Sequence, residues 1–248
     1  MVDISRISRA SLLGRVLRAP LSFIPKAAIV RVLQGPLAGK RWIVGSATHG
    51  AWLGTYEYGK QRLFARSIQP GMVIFDIGAN VGFYTLVASV RTGECGRVYA
   101  FEPVPRNIGF LRQHLAHNGT RNVEIVEAAV SDTSGVTAFE EFESPAMGRI
   151  GPAGRLQIRT VALDEIVLDH GVPMPDVLKI DIEGGEQRAL EGARRILERR
   201  HPLIFLATHG EQVHADCSAL LTGLGYVLSG VGGEAPDGTD ELVARFGR

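Results

Sequence analysis

Cysteine is almost absent from this 248-residue chain: Cys95 and Cys217 are the only two, and they stand far apart. That excludes a disulfide framework and a CxxC zinc site, and two isolated reduced thiols fit a cytoplasmic protein. An excess of charge of one sign is missing too, since 27 basic and 26 acidic residues leave a net +1. No global field therefore recommends nucleic acid as a partner. No apolar run approaches the length that crosses a bilayer, and there are no internal repeats or low-complexity tracts. What remains is 45% hydrophobic and 21% charged residues, an ordinary globular composition sized for one large domain with a short extension.

The charge is uneven locally. Arg6, Arg9, Arg15, Arg18, Lys26, Arg31, Lys40 and Arg41 face one acid, Asp3. The apolar runs there are short and broken by Pro20 and Pro25, so no secretory leader is expected. Leu12, Leu13, Val16 and Leu17 can share a helix face, with Arg15 and Arg18 opposite. Such a helix packs on the core or makes weak peripheral contact with an anionic membrane. Residues 28–33 and 41–44 read as a hairpin. Residues 1–70 are expected as a lead-in packed on a main domain of residues 71–248.

From Gly71 onward, short β-branched runs alternate with longer helical ones. Strands are expected at 72–77, 97–101, 123–130, 177–182 and 203–207, and helices at 83–91, 105–117, 187–200 and 213–224. Pro105 suits a first helical turn, and Asn118-Gly119 a helix end. Residues 136–142 and 156–161 read as strands around a Gly/Pro-rich loop, 144–154, expected as an insertion or hairpin near the site. Residues 226–229 and 242–246 lack a helix between them and are expected to pair antiparallel at one edge. The alternation implies an α/β, doubly wound, mainly parallel sheet.

The most informative segment runs from Val73 through Asp76, Gly78, Asn80 and Gly82 to Tyr84 and Thr85. A strand enters a glycine turn and a helix follows, the geometry that places a ligand at the carboxyl edge of an open sheet. Gly78 allows the tight turn, and Gly82 is expected to let backbone approach a ligand. A dinucleotide site needs GxGxxG; here Asn80 and Phe83 stand at the second and third glycine positions. Asp76 suits an ammonium-bearing ligand better than a diphosphate. Glu102, about twenty residues after Gly82, falls where an acid receives ribose hydroxyls. Ala129 and Ser131 end the third strand, where small residues can floor an adenine ring. An ordinary turn fits that position equally well. On the other side, Lys179, Asp181 and Glu183 share one face of an extended chain, and their convergence beside the crevice suggests chemistry.

Taken together, Gly54–Glu57, Asp76–Thr85, Phe101-Glu102-Pro103, Ala129–Asp132, Ala162–Glu165 and Lys179–Glu186 resemble the FkbM-type methyltransferase family from about residue 35 to about residue 210. The resemblance implies a seven-stranded class I methyltransferase fold of Rossmann-like topology. It also implies S-adenosylmethionine as cofactor and methyl transfer, usually to a hydroxyl of a sugar, glycan or secondary metabolite. The cofactor-binding set is then Asp76, Gly78, Asn80, Gly82, Tyr84, Thr85, Glu102, Pro103, Ala129 and Ser131. Asp181, His209 and Glu57 are the catalytic candidates. One departure stands out: Phe205-Leu206-Ala207-Thr208-His209 lacks the carboxylate that usually precedes the histidine in the family.

No metal is expected, because His114 and His117 lack a third ligand nearby and Asp181 with Glu183 falls short of an oxygen cage. Two other readings stay open. One is an NAD(P)-dependent oxidoreductase. The other is a non-catalytic methyltransferase-like module that binds a partner or membrane through its basic N-terminus.

Overall fold

The computed structural model describes residues 21, 23–141, 148–151, 154 and 156–247. The basic helix expected over residues 12–18 lies outside them. The lead-in contributes β1 (Ile29–Arg31) and β2 (Arg41–Ile43), antiparallel as expected, then α1 (His49–Leu53) and α2 (Tyr58–Ser67). These two helices carry no strong periodic signal in the sequence. They form because the lead-in shares one apolar cluster with the main domain: Trp42, Trp52 and Phe64 are buried together with Phe83, Leu86 and Phe205.

The main domain runs β3 (Val73–Ile77), α3 (Phe83–Thr92), β4 (Arg97–Phe101), α4 (Pro105–His117), β5 (Val123–Val126), β6 (Ala129–Val130), β7 (Gly135–Glu141), β8 (Gly148–Ile150) and β9 (Leu156–Val161). It continues with α5 (Leu163–Leu168), β10 (Val177–Ile180), α6 (Glu186–Glu191), α7 (Arg194–Arg200), β11 (Leu203–Ala207), α8 (Glu211–Gly223), β12 (Tyr226–Gly230) and β13 (Glu241–Phe246). Seven strands make one sheet in the order β12-β13-β11-β10-β3-β4-β5. All are parallel where they pair except β13, which runs antiparallel to both neighbours. This is the Rossmann-like class I methyltransferase architecture, and the strand order reverses beside β3, where a ligand crevice forms.

Two expected elements are divided. The run 123–130 breaks after Val126, where the Ala128 N–H turns back onto the Val126 carbonyl at 2.9 Å. Ala129 and Val130 then join a second sheet, β6-β9-β7-β8. The β7–β8 pairing supplies the expected hairpin; residues 142–147 of its loop lie outside the described set. The expected helix 187–200 is two helices, and Asp164 accounts for the break. Its N–H takes the Gly192 carbonyl at 2.8 Å, and its carboxylate accepts from the Arg195 and Ile196 N–H groups at 2.8 and 2.9 Å. Those bonds give α7 a fresh N-terminus. A Cβ at Gly192 would lie 2.1 Å from the Ser131 carbonyl oxygen.

Candidate cofactor and acceptor site

The β3–α3 loop is held from below and from both sides. Asp76 sits between Ala100 of β4 and Lys179 of β10 in the register. Its carboxylate accepts from the Thr85 hydroxyl at 2.6 Å and lies 3.4 Å from the Lys179 ammonium. Lys179 in turn donates to the Gly78 carbonyl at 3.0 Å. The Gly78 and Ala79 N–H groups both reach the Phe101 carbonyl. The Asn80 N–H donates to Glu102 at 2.8 Å, and the His114 ring holds the Val81 carbonyl at 2.7 Å. Gly78 has φ +78°, and a Cβ there would lie 2.0 Å from the Asp181 carbonyl. Only glycine fits that crossing.

Two cavities adjoin along this loop, and Gly78, Asn80, Asp181 and Glu183 line both. The narrower one lies over the ends of β3 and β4. Its walls include Phe101–Val104, Asn107, Ala128–Val130 and, from the second sheet, Phe139. Its ionisable lining is three carboxylates, Glu102, Asp181 and Glu183, with no Lys, Arg or His among the described residues. Glu102 is nearly fully buried, and burial raises its pKa against the pull of the Val104, Asn80 and Asn107 hydrogen bonds.

The wider cavity, about 550 Å³, is closed on its far side by the lead-in, from Gly45–Thr48 to Tyr56 and Glu57, and by β13. Its floor is a charge network. Lys60, 5% exposed, reaches both oxygens of Glu241 at 2.8 and 2.6 Å, Glu57 at 3.4 Å and Asp181 at 3.7 Å. Burial alone would lower the Lys60 pKa, but these three carboxylates overcome it and leave it raised. Lys179, 3.7 Å from Asp181, is raised for the same reason, with Asp76 as its main partner. Burial works against the Asp181 carboxylate, yet Lys179, Lys60 and His209 hold its pKa below the usual range. His209 gives its Nδ1 to Glu186 at 2.7 Å, while Nε2 lies 3.5 Å from Glu183 and 3.9 Å from Asp181. The Glu186 hydrogen bond, reinforced by the other carboxylates against partial burial, pushes the His209 pKa up to about 9.

The residues expected from sequence divide accordingly. Gly78, Asn80, Glu102, Pro103 and Ala129 line the narrow cavity, and Asp181, His209 and Glu57 meet at the wide one. Four expectations change. Asp76 lines neither cavity: it is fully buried, with Lys179 as its cationic partner and Thr85 as its hydroxyl donor. Gly82 lines neither cavity: a Cβ there would lie 2.4 Å from Leu111, so helix packing requires the glycine. Tyr84 lines the acceptor side and donates its hydroxyl to Glu57 at 2.7 Å. Ser131 is buried outside both cavities and donates to Asp132 at 2.9 Å. Sequence reasoning did not find Asn107, which bonds Glu102 from the first turns of the next helix, nor Phe139, Lys60 or Glu241, which reach the site only through tertiary pairing. Glu241 stands opposite Ala207 in the β11–β13 register, two residues before His209.

A methyltransferase FkbM domain model matches residues 76–228. The chain belongs to the FkbM methyltransferase family. Hexuronic acid methyltransferase AglP of Haloferax volcanii is 30% identical over 139 residues, which are 55% of this chain and 56% of that protein. The 31-O-demethyl-FK506 methyltransferase FkbM of Streptomyces tacrolimicus is 26% identical over 196 residues, 65% of this chain and 75% of that one. The methyltransferase FkbM structure from Methylobacillus flagellatus KT superposes with a TM-score of 0.52 at 18% identity. That match covers 81% of this chain and 56% of the other, and supports the fold. The chain thus spans little more than half the length of the Haloferax and Methylobacillus relatives. Among the described residues, no helix is long and apolar enough to cross a membrane.

Proposed function

We propose that this chain binds S-adenosylmethionine in the narrow cavity and methylates a hydroxyl of a sugar, glycan or secondary metabolite held in the wide one. The observation that carries the cofactor assignment is the narrow cavity's lining: three carboxylates and no cation. Such a cavity repels a diphosphate and suits a nucleoside with a positively charged tail. The same lining counts against the oxidoreductase reading. Glu102 would receive the ribose hydroxyls, Ala128 and Ala129 would leave room for a flat base, and Asp181 and Glu183 would face the cationic end. When bound, this cofactor supplies a methyl group activated by a sulfonium leaving group.

The chain's own task is to align the acceptor and remove a proton. Asp181 borders both cavities, and we assign it the acceptor hydroxyl's hydrogen bond. Its low pKa is no obstacle, because a hydroxyl gaining a methyl group becomes strongly acidic and even a weak carboxylate base takes its proton. His209 keeps its own proton at neutral pH and is therefore assigned as a donor to the carboxylates, in place of the base role expected from sequence. Glu57 is held by Tyr84 and Lys60 and shapes the floor. A cytoplasmic location is part of this proposal, supported by two unpaired cysteines.

The acceptor class is taken from the names of two relatives, a hexuronic acid methyltransferase and a 31-O-demethyl-FK506 methyltransferase. Calorimetry with S-adenosylmethionine, S-adenosylhomocysteine and NAD tests the cofactor, and labelled-methyl transfer to a panel of hydroxylated sugars and metabolites tests the reaction. Saturable binding of NAD with no heat from either sulfur nucleoside overturns the reading.

A further inference from the structure

We propose that Glu186 is the positioning residue of the acceptor side: its carboxylate, inside the fold, engages Nδ1 of His209 and so directs Nε2 toward Asp181 and Glu183 at the junction of the two cavities. This deepens the functional reading above and rests on it for its catalytic meaning. Its structural content stands separately.

Glu186 is the first residue of α6, where an acid ordinarily serves the helix dipole from the surface. Here it is 0% exposed. One oxygen, Oε1, accepts both the Gly184 N–H at 3.0 Å and the His209 Nδ1 at 2.7 Å; Oε2 has no hydrogen-bond partner among the described residues. A buried carboxylate needs a cation, and His209 is the one ion-pair partner Glu186 has among the described residues. The backbone is bent to make this pairing. Glu183 has φ +56° and Gly184 φ +100°, two consecutive left-handed residues that turn the chain from β10 into α6. A non-glycine residue is strained in that region. The turn sets the Glu183 carboxylate 3.5 Å from Nε2.

The ring is thus gripped at one nitrogen from inside and faces two carboxylates at the other. The charged groups around it are Glu186 behind, Glu183 and Asp181 in front, and Lys60 and Lys179 beyond Asp181. Three carboxylates against one imidazole favour its charged form, as the rise to about 9 reflects. Holding Nδ1 fixes the ring's orientation, in which Nε2 faces Glu183 at 3.5 Å and Asp181 at 3.9 Å, the two carboxylates that border both cavities.

NMR of the full-length protein labelled at histidine nitrogens tests this without any acceptor. In the wild type at pH 7.5 His209 is expected doubly protonated. Once neutral, above its midpoint, it is expected as the Nδ1–H tautomer, the reverse of the usual preference of free imidazole. Glu186→Gln is expected to lower the His209 midpoint by at least one pH unit, whereas Glu183→Gln lowers it less and leaves the tautomer unchanged. S-adenosylhomocysteine affinity by calorimetry is expected within twofold of wild type in Glu186→Gln, whose carboxylate lines neither cavity. A neutral His209 in the Nε2–H form, or a midpoint that Glu186→Gln does not move, overturns the proposal. The wild-type tautomer decides the matter even where Glu186→Gln fails to fold. Absence of S-adenosylhomocysteine binding by the wild type overturns the functional reading instead, and leaves the tautomer result standing.

Discussion

The two sides of the crevice are made of different material. The side proposed for the cofactor is organised by main chain, a glycine turn tied to β4, to Glu102 and to Lys179, with three carboxylates in its lining. The acceptor side is a network of ionisable side chains drawn from α2, the end of β10, α6, the end of β11 and β13. One side is rigid because its backbone bonds are satisfied. The other is rigid because its charges are mutually compensated. The first kind of site resists substitution for steric reasons, and the second tolerates substitution in the fold while losing its chemistry.

The sharpest way to break this contrast is at Lys179, whose ammonium ties the glycine turn to Asp181. Lys179→Met leaves the fully buried Asp76 without its cation and is expected to cost about 3–5 kcal/mol in urea denaturation. The double variant with Asp76→Asn should recover most of that loss. Stability unchanged by Lys179→Met would mean the pair does not hold the loop.

A smaller effect is expected at His114, which stacks on Trp42 at 3.9 Å and accepts the Ile43 N–H while holding the loop carbonyl of Val81. Burial lowers its pKa to about 4. The folded protein therefore keeps it neutral where the unfolded chain would protonate it. Its contribution is present above about pH 6.5 and is lost as pH falls toward 4, on the order of 2–3 kcal/mol. Denaturation midpoints across that range should fall in the wild type and fall less in His114→Gln.

Gly78→Ala combines a left-handed backbone with a clash at 2.0 Å and is expected to cost about 2 kcal/mol and weaken cofactor binding. Gly71→Ala, also left-handed at φ +88° but with nothing within 4 Å, should cost about 1 kcal/mol and leave binding alone. Equal binding losses in the two would remove the steric account. On the acceptor side, Lys60→Met is expected to leave cofactor affinity unchanged and lower methyl transfer about tenfold, because the three carboxylates it gathers are partly solvated and need it for placement more than for folding. A lost cofactor heat in that variant would show that the two sides are not separable.

The same contrast explains what could be read from the sequence. Gly78, Asn80 and Glu102 were legible because a backbone-built site writes itself in spacing: strand, glycine turn, helix, acid at the next strand end. The mainly parallel sheet and the antiparallel closing pair followed from the periodicities and from the missing helix between the last two strands. Lys60 and Glu241 were not legible, since their neighbours in the chain say nothing of Asp181, from which each is separated by tens of residues. Lys179 as the partner of Asp76 was not legible, because an acid beside a glycine loop looks the same in sequence whether a ligand or a buried lysine stands against it. The breaks at Glu127-Ala128 and Gly192 were hidden for a like reason: each depends on a hydrogen bond whose direction local propensity does not encode.

The shared border of the two cavities carries a consequence for how this enzyme scaffold can diversify. Gly78, Asn80, Asp181 and Glu183 face both chambers, so reshaping any of them to admit a new acceptor also disturbs the donor. The opposite wall, residues 45–57 and 240–241, touches only the acceptor chamber. New specificities are therefore free to arise there, in the lead-in and the last strand, at no expense to the cofactor. Parts of the molecule that look like appendages to the core are where a change of substrate costs least.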